Sequence, residues 1–218
     1  MPFFILAGRP VFFAHVPRCG GSSVEDYLAA RFGPLAMLDR SHGTGHDSLW
    51  CHSSPQHIRV VSLVRLFPPG FFAASFTVVR HPMRRAISVY RFNRDVARGI
   101  DPAVGFEDWL AALPEARSRE RHYLDNHAHP ATELVPEGAT VFRLEDGFAP
   151  LIAWLDALEG AERGGREIGS TNSYEARIEA RGVPAGAEVT ITPRAIELVA
   201  SLYRADFERF GYDPALTA

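Results

Sequence analysis

Two short stretches of the chain bring together residue types that can do chemistry. His15-Val16-Pro17-Arg18-Cys19-Gly20-Gly21-Ser22-Ser23 closes an apolar run from Val11 to Val16 that reads as a buried strand, and Ser22 with Glu25 three residues on reads as a capping box opening a helix. A strand that turns through two glycines into a helix is an anion site. The first-turn N–H groups have no intrahelical acceptor, Gly20 and Gly21 let a ligand approach the backbone, and the Ser22 and Ser23 hydroxyls and the Arg18 guanidinium can join them. The same box can also be an ordinary helix start, and the G-x-x-x-x-G-K-[ST] spacing of a Walker A loop is absent.

The second stretch favours the anion reading. Ser75 to Val79 is another apolar strand, Arg80 stands at its carboxyl end, and Pro82 opens a helix carrying Met83, Ile87 and Tyr90 on one stripe. Ligands of open α/β sheets bind at that end of the strands. Ser88 lies about two helical turns beyond Arg80, so one anion can meet both if the helix packs back along the sheet.

The elements that must hold these residues are legible as periodicities. Val24, Tyr27, Leu28 and Phe32 place a helix after the first strand, ended by Gly33-Pro34. Ser41 to Ser54 reads as a loop and a candidate acceptor-binding segment, and Gln56 to Val64 as a short helix or strand before the Pro68-Pro69-Gly70 turn. The helix from Pro82 runs to Ala97. Phe106, Trp109, Leu110 and Leu113 mark an amphipathic helix, Arg117 to Tyr123 a charged helical stretch, Ala139 to Leu144 a third parallel strand, and Phe148, Leu151, Ile152, Leu155 and Leu158 the helix returning from it. Glycine-rich 160–186 has no sustained period and reads as a long loop. Thr192 caps a last helix with Pro193 at its first position and Ile196, Val199, Tyr203, Phe207 and Phe210 as its core face. This alternation predicts a single α/β domain over residues 1–218, a P-loop-like three-layer fold with a central parallel sheet and helices on both faces.

Composition excludes several classes. With 46% hydrophobic and 22% charged residues in 218, the chain is globular, and a formal charge of -3 gives no general reason to bind nucleic acid. The local cluster Arg80, Arg84, Arg85, Arg91 and Arg94 is compatible with a solvated helix face, above all at Arg85 and Arg94. Two cysteines make neither a disulfide framework nor a zinc site; Cys19, beside the anion loop, is either a reactive thiol or a small space-filler. No segment approaches a membrane span and Pro2 to Ala7 lacks the flanks of a signal peptide, so a soluble, cytoplasmic protein without membrane partners is expected. All 23 basic residues are Arg and none is Lys, which rules out Schiff-base chemistry.

Taken together, His15 to Ser23 and Val79-Arg80-His81-Pro82 through Ala86-Ile87-Ser88-Val89-Tyr90 resemble the two nucleotide-binding motifs of sulfotransferases that use 3′-phosphoadenosine 5′-phosphosulfate (PAPS), of the carbohydrate-type branch. Asn126-His127 with Pro130, Val141 to Asp146 and Tyr203 to Tyr212 resemble further landmarks of that family in the expected order. The resemblance implies that Arg18, Cys19, Gly20, Gly21, Ser22 and Ser23 hold the 5′-phosphosulfate, that Arg80 and Ser88 hold the 3′-phosphate, and that no metal takes part. It also implies that 160–186 folds over the nucleotide, with Asn172 the residue to watch. The acceptor is then a carbohydrate or another small hydroxyl compound. Arg18 stabilises the leaving phosphate, and a His between the motifs is the base, which favours His52 over His42, His46 and His57, with His15 and Glu145 as alternatives. Two departures stand out: Arg18 where the family usually has Lys, and Ala131 where it usually has Gln. Arg18 follows the chain-wide absence of Lys, but a planar fork does not place charge as an ammonium does, so a catalytically inactive PAPS- or glycan-binding module is a competing reading. A kinase-like enzyme on a similar sheet is a second, disfavoured by the missing Lys and Walker motif.

Overall fold

The computed structural model describes residues 2–42, 51–171 and 173–215. Four strands, β1 (Phe3–Leu6), β2 (Arg9–Ala14), β3 (Ala74–Val79) and β4 (Thr140–Arg143), form one sheet in the order β1-β2-β3-β4. The three strands expected to be parallel are so, β2 with β3 and β3 with β4. The sheet as a whole is mixed rather than parallel, because Pro2 to Ala7 supplies an additional strand: β1 pairs antiparallel with β2, Leu6 opposite Arg9. The cause is local. Ala7 and Gly8 both take positive φ (48° and 77°), the geometry of a two-residue turn that reverses the chain, whereas a parallel partner needs a long crossover.

Among the described residues the helices are α1 (Gly21–Phe32), α2 (Val60–Leu66), α3 (Pro82–Arg91), α4 (Phe106–Arg119), α5 (Ala149–Glu159), α6 (Tyr174–Arg181), α7 (Pro193–Leu202) and α8 (Arg204–Phe210). Side chains of a strand alternate between faces, and both faces here are apolar. Val11, Phe13, Phe76 and Val78 pack with Val24 and Leu28 of α1 and Leu151, Ile152 and Leu155 of α5. Phe12, Ala14 and Val79 pack with Leu63 of α2, Leu134, Val135 and Phe210 of α8. A separate core joins Met83, Val89 and Tyr90 of α3 to Trp109, Leu110 and Leu113 of α4 and Val199 of α7.

Three boundaries differ from the sequence expectation. The helix from Pro82 keeps α-geometry only to Arg91 and continues as a wider π-helical turn, Phe92–Val96. The last helix breaks at Tyr203, whose φ of −120° is non-helical and whose hydroxyl donates to the Ala128 carbonyl, although its Thr192 cap and Pro193 start are as expected. Residues 160–186 are not structureless: Ser173 caps α6 by accepting from the Ala176 N–H, and Gly182 ends it in the left-handed conformation.

The largest departure concerns Arg85 and Arg94, which are buried rather than solvated. Arg85 is 2% exposed. Its Nε donates to the Pro17 carbonyl, and its Nη2 to the carbonyls of His127 (3.0 Å) and His129 (2.8 Å). Asp206, on α8, stands 3.7 Å from Nη1 and accepts the N–H groups of Ala131 and Thr132. One guanidinium thus joins the anion loop, the 127–129 segment and α8. Arg94 is spent on the Asp95 carboxylate and the Ala187 carbonyl. Arg85→Leu leaves Asp206 buried without its counter-charge, and is expected to lower the unfolding free energy by about 3 to 5 kcal/mol. Denaturant titration checks this; an unmoved midpoint would contradict the pinning role.

Candidate active site

The loop between β2 and α1 holds the first motif. Arg18 (φ 67°) and Gly20 (φ 79°) are left-handed, and Gly20 rather than Ser22 is the residue preceding the helix. The expected capping box is therefore not formed. Ser22 lies inside the first turn, no side chain caps α1, and the Glu25 carboxylate instead meets His15 Nδ1 at 2.5 Å. The N–H groups of this first turn are left for a ligand, which strengthens the anion site. Gly21 is required for a steric reason: a Cβ there would collide with His15 Nε2.

Arg18, Gly20, Gly21, Ser22, Ser23, Arg80 and Ser88 all line one cleft of about 920 Å³. Cys19 does not. It is fully buried in the core beneath the loop, where burial pushes its thiol up to about 11, so it is a packing residue and not a reactive thiolate. Arg84, Arg91 and Arg177 join the same wall. Arg18 turns its Nε to the Ser88 hydroxyl (3.1 Å) and stacks its guanidinium 4.5 Å over the Phe92 ring. Burial, and then the like charges of Arg177 and Arg80, bring Arg18 down to about 10. Arg91 Nε and Arg177 Nε are buried and lack a hydrogen-bond partner. Cations this crowded, two of them with an unpartnered buried Nε, make a site suited to a multiply charged anion.

The same cleft holds a histidine group whose members are distant in sequence. His57 Nδ1 meets Asp125 Oδ2 at 2.7 Å and the Ser54 hydroxyl at 2.9 Å; the Ser54 N–H donates to Asp125 Oδ1. Leu124, Asp125 and Asn126 take positive φ in succession (51°, 55°, 63°), and Asn126 anchors them by donating to the His57 carbonyl. Burial lowers His57 below the ordinary imidazole value, outweighing the Asp125 contact that would raise it. Burial alone would raise the Asp125 carboxyl, but His57, with His127 and Ser54, holds it well below the usual range. His127 is lowered by burial and by the nearby His57. His57, Asp125 and His127 bring ligand atoms within 4.8 Å of one another, yet His57 and Asp125 already spend theirs on each other.

His52 is placed elsewhere. It is exposed, stacked on His122 at 5.7 Å, and does not line the cleft. His15, His42 and His57 do line it; His46 and Asn172 lie outside the described residues. Glu145 is a structural clamp, accepting from the His81 N–H and the Tyr212 hydroxyl. No local pattern singles out His57, because its carboxylate comes 68 residues later.

Segment 160–186 crosses the guanidinium wall. The Thr171 N–H donates to the Ser23 hydroxyl, Tyr27 donates to the Gly165 carbonyl, and Ser170, Thr171, Tyr174 and Arg177 line the cleft. Tyr174 is the anchor: its hydroxyl donates to Asp95 on the π-helical turn, and Arg91 lies 3.9 Å over its ring.

The chain matches the model of the sulfotransferase family over residues 1–213, and so belongs to the sulfotransferase family. Comparison with curated proteins and with solved structures returns no match. No helix among the described residues is long and apolar enough to cross a membrane.

Tyr174→Phe removes the donor to Asp95 and leaves the packing. Amide exchange of α6 is expected to speed up at least tenfold, as for the loss of a hydrogen bond of about 1.5 kcal/mol to a charged group, while the sheet amides keep their protection. Unchanged exchange in α6 would show that the anchor lies elsewhere.

Proposed function

We propose that this chain transfers the sulfuryl group of PAPS to a hydroxyl of a carbohydrate, without a metal. The observation that carries the proposal is the cleft wall of Arg18, Arg80, Arg91 and Arg177 at the unsatisfied first turn of α1, facing a carboxylate-held His57. PAPS carries anionic groups at both its 5′ and 3′ positions. The first turn of α1 suits the 5′ group, and Arg80 with the Arg18–Ser88 pair suits the 3′-phosphate. The cleft is also lined by Asp39, Arg40, His42, Ser54 and Gln56, a polar set matched to a hydroxyl-rich acceptor and unlike a slot for an apolar phenol.

Sulfuryl transfer, like phosphoryl transfer, asks the protein for alignment, charge stabilisation and a base. His57 has the features of that base. Asp125 accepts a hydrogen bond from its Nδ1–H, which leaves the Nε2 lone pair for the acceptor hydroxyl, and its lowered pKa keeps it neutral at physiological pH. This assignment replaces His52.

Two measurements test the reading. His57→Gln is expected to lose about 10²- to 10⁴-fold in turnover, while His52→Gln stays near the parent rate. Since the base must be unprotonated and its pKa is lowered, the acid limb of kcat/KM is expected below about pH 6.5, the ordinary His value, and absent in His57→Gln. A limb retained in that variant would return the base to another residue. Separately, Arg80→Ala is expected to weaken 3′-phosphoadenosine 5′-phosphate by roughly 10- to 150-fold in calorimetry, and to leave adenosine 5′-phosphate, already weak, unchanged. Equal losses for both nucleotides would remove Arg80 from the 3′-phosphate.

A further inference from the structure

The mechanism above leaves one buried ion pair of the cleft without a task. His15 is 7% exposed and Glu25 2%, and Nδ1 and Oε1 are 2.5 Å apart. Burial raises the Glu25 carboxyl, but the charge and hydrogen bond of His15, with His57 and Arg40 beyond, bring it below the usual range, so this is a carboxylate facing an N–H donor. With Nδ1 committed, the ring's other nitrogen is fixed in direction. Nε2 lies against the α-carbon of Gly21, the first residue of α1, at the one position where the absence of a Cβ leaves room for it. Among the described residues Nε2 makes no hydrogen bond within the protein. It shares its location with the free N–H groups of the helix start, which point at the same anion.

Arg18 is directed away from this point, to Ser88 and the Phe92 ring. His57 approaches from the other side, its ring edge-on to His15 at 4.9 Å between centroids. The two imidazoles are held alike, each with Nδ1 against a carboxylate, but the His15 Nε2 lies at the helix start. Resting on the sulfuryl-transfer reading, we propose that His15 is a second catalytic residue, whose Nε2–H hydrogen-bonds the oxygen that leaves with the donor's 5′-phosphate, Glu25 keeping the ring oriented.

The step balances as follows. The bond between sulfur and the bridging oxygen breaks with its electron pair going to that oxygen, while the acceptor hydroxyl oxygen forms the new bond to sulfur. The hydroxyl proton passes to His57 Nε2 and from there to solvent. His15 retains its proton throughout, and its hydrogen bond strengthens as negative charge grows on the leaving oxygen, the differential stabilisation that lowers a barrier.

Transfer of the sulfuryl group to water, read as sulfate released from PAPS, needs no identified acceptor and retains the leaving-group event. His15→Gln and Glu25→Gln are each expected to slow this release by about 10²- to 10³-fold, the range for loss of one charge-stabilising donor, with less than tenfold change in the Kd of 3′-phosphoadenosine 5′-phosphate. Should both variants misfold, ¹⁵N-histidine NMR of the parent chain decides. The His15 Nε2 resonance is expected to move when 3′-phosphoadenosine 5′-phosphate is added; an unmoved Nε2 overturns the proposal. A parent chain that neither binds this nucleotide nor releases sulfate overturns the sulfuryl-transfer reading and this inference with it. Normal binding with undiminished release in His15→Gln overturns this inference alone.

Discussion

The Arg85 guanidinium is the contact on which the site's geometry depends. A buried Arg must find acceptors for a rigid fork of donors, and in this fold those acceptors are carbonyls of two segments with no regular structure of their own, at Pro17 and at His127 and His129. The anion loop and the segment carrying Asp125 are thereby held in one frame. Asp206 extends that frame to α8 through the Ala131 and Thr132 amides. Loops free to move apart would separate the guanidinium wall from His57. A single buried cation prevents that, at a desolvation cost offset by its hydrogen bonds.

Around this frame the cleft is electrostatically lopsided. Several guanidiniums gather in it beside the carboxylate-held imidazoles, with Ser23 and Thr171 tying the 160–186 segment to α1. In the free protein the wall is a site of mutual repulsion and of unsatisfied buried donors. The fold tolerates this because α3, α6 and the loop after β2 are each fixed from behind, by Arg85, by the Tyr174–Asp95 contact and by the sheet core.

Much of this was legible in the sequence, and the reasons for what was not are physical. The β2–loop–α1 and β3–α3 units announce themselves through short-range apolar periodicity and through Gly20, Gly21 and Pro82, so these strand–loop–helix units are visible locally. Side chains that bond to distant partners leave no such local signal. Glu25 has the spacing of a capping partner for Ser22, but it meets a histidine at the end of the preceding strand. Arg85 looks like any surface Arg on a polar helix face, because the carbonyls that enclose it lie 68, 42 and 44 residues away. His57 was one of several histidines until Asp125 was brought beside it, and β1 was hidden because the Ala7-Gly8 reversal is weaker than an Asn-Gly signal.

The left-handed run Leu124, Asp125 and Asn126 bears on how the cleft comes apart. Each such residue stores of the order of 1 to 3 kcal/mol, and the run persists only while the Asn126 bond to the His57 carbonyl and the Asp125 bonds to Ser54 and His57 hold it. Strain of this kind relaxes cooperatively. Once one anchor breaks, the turn relaxes as a unit and Asp125 leaves His57, while the sheet, which shares none of these bonds, stays folded. The His57–Asp125 pairing and the sheet thus depend on different bonds, and local loosening of this turn need not unfold the sheet.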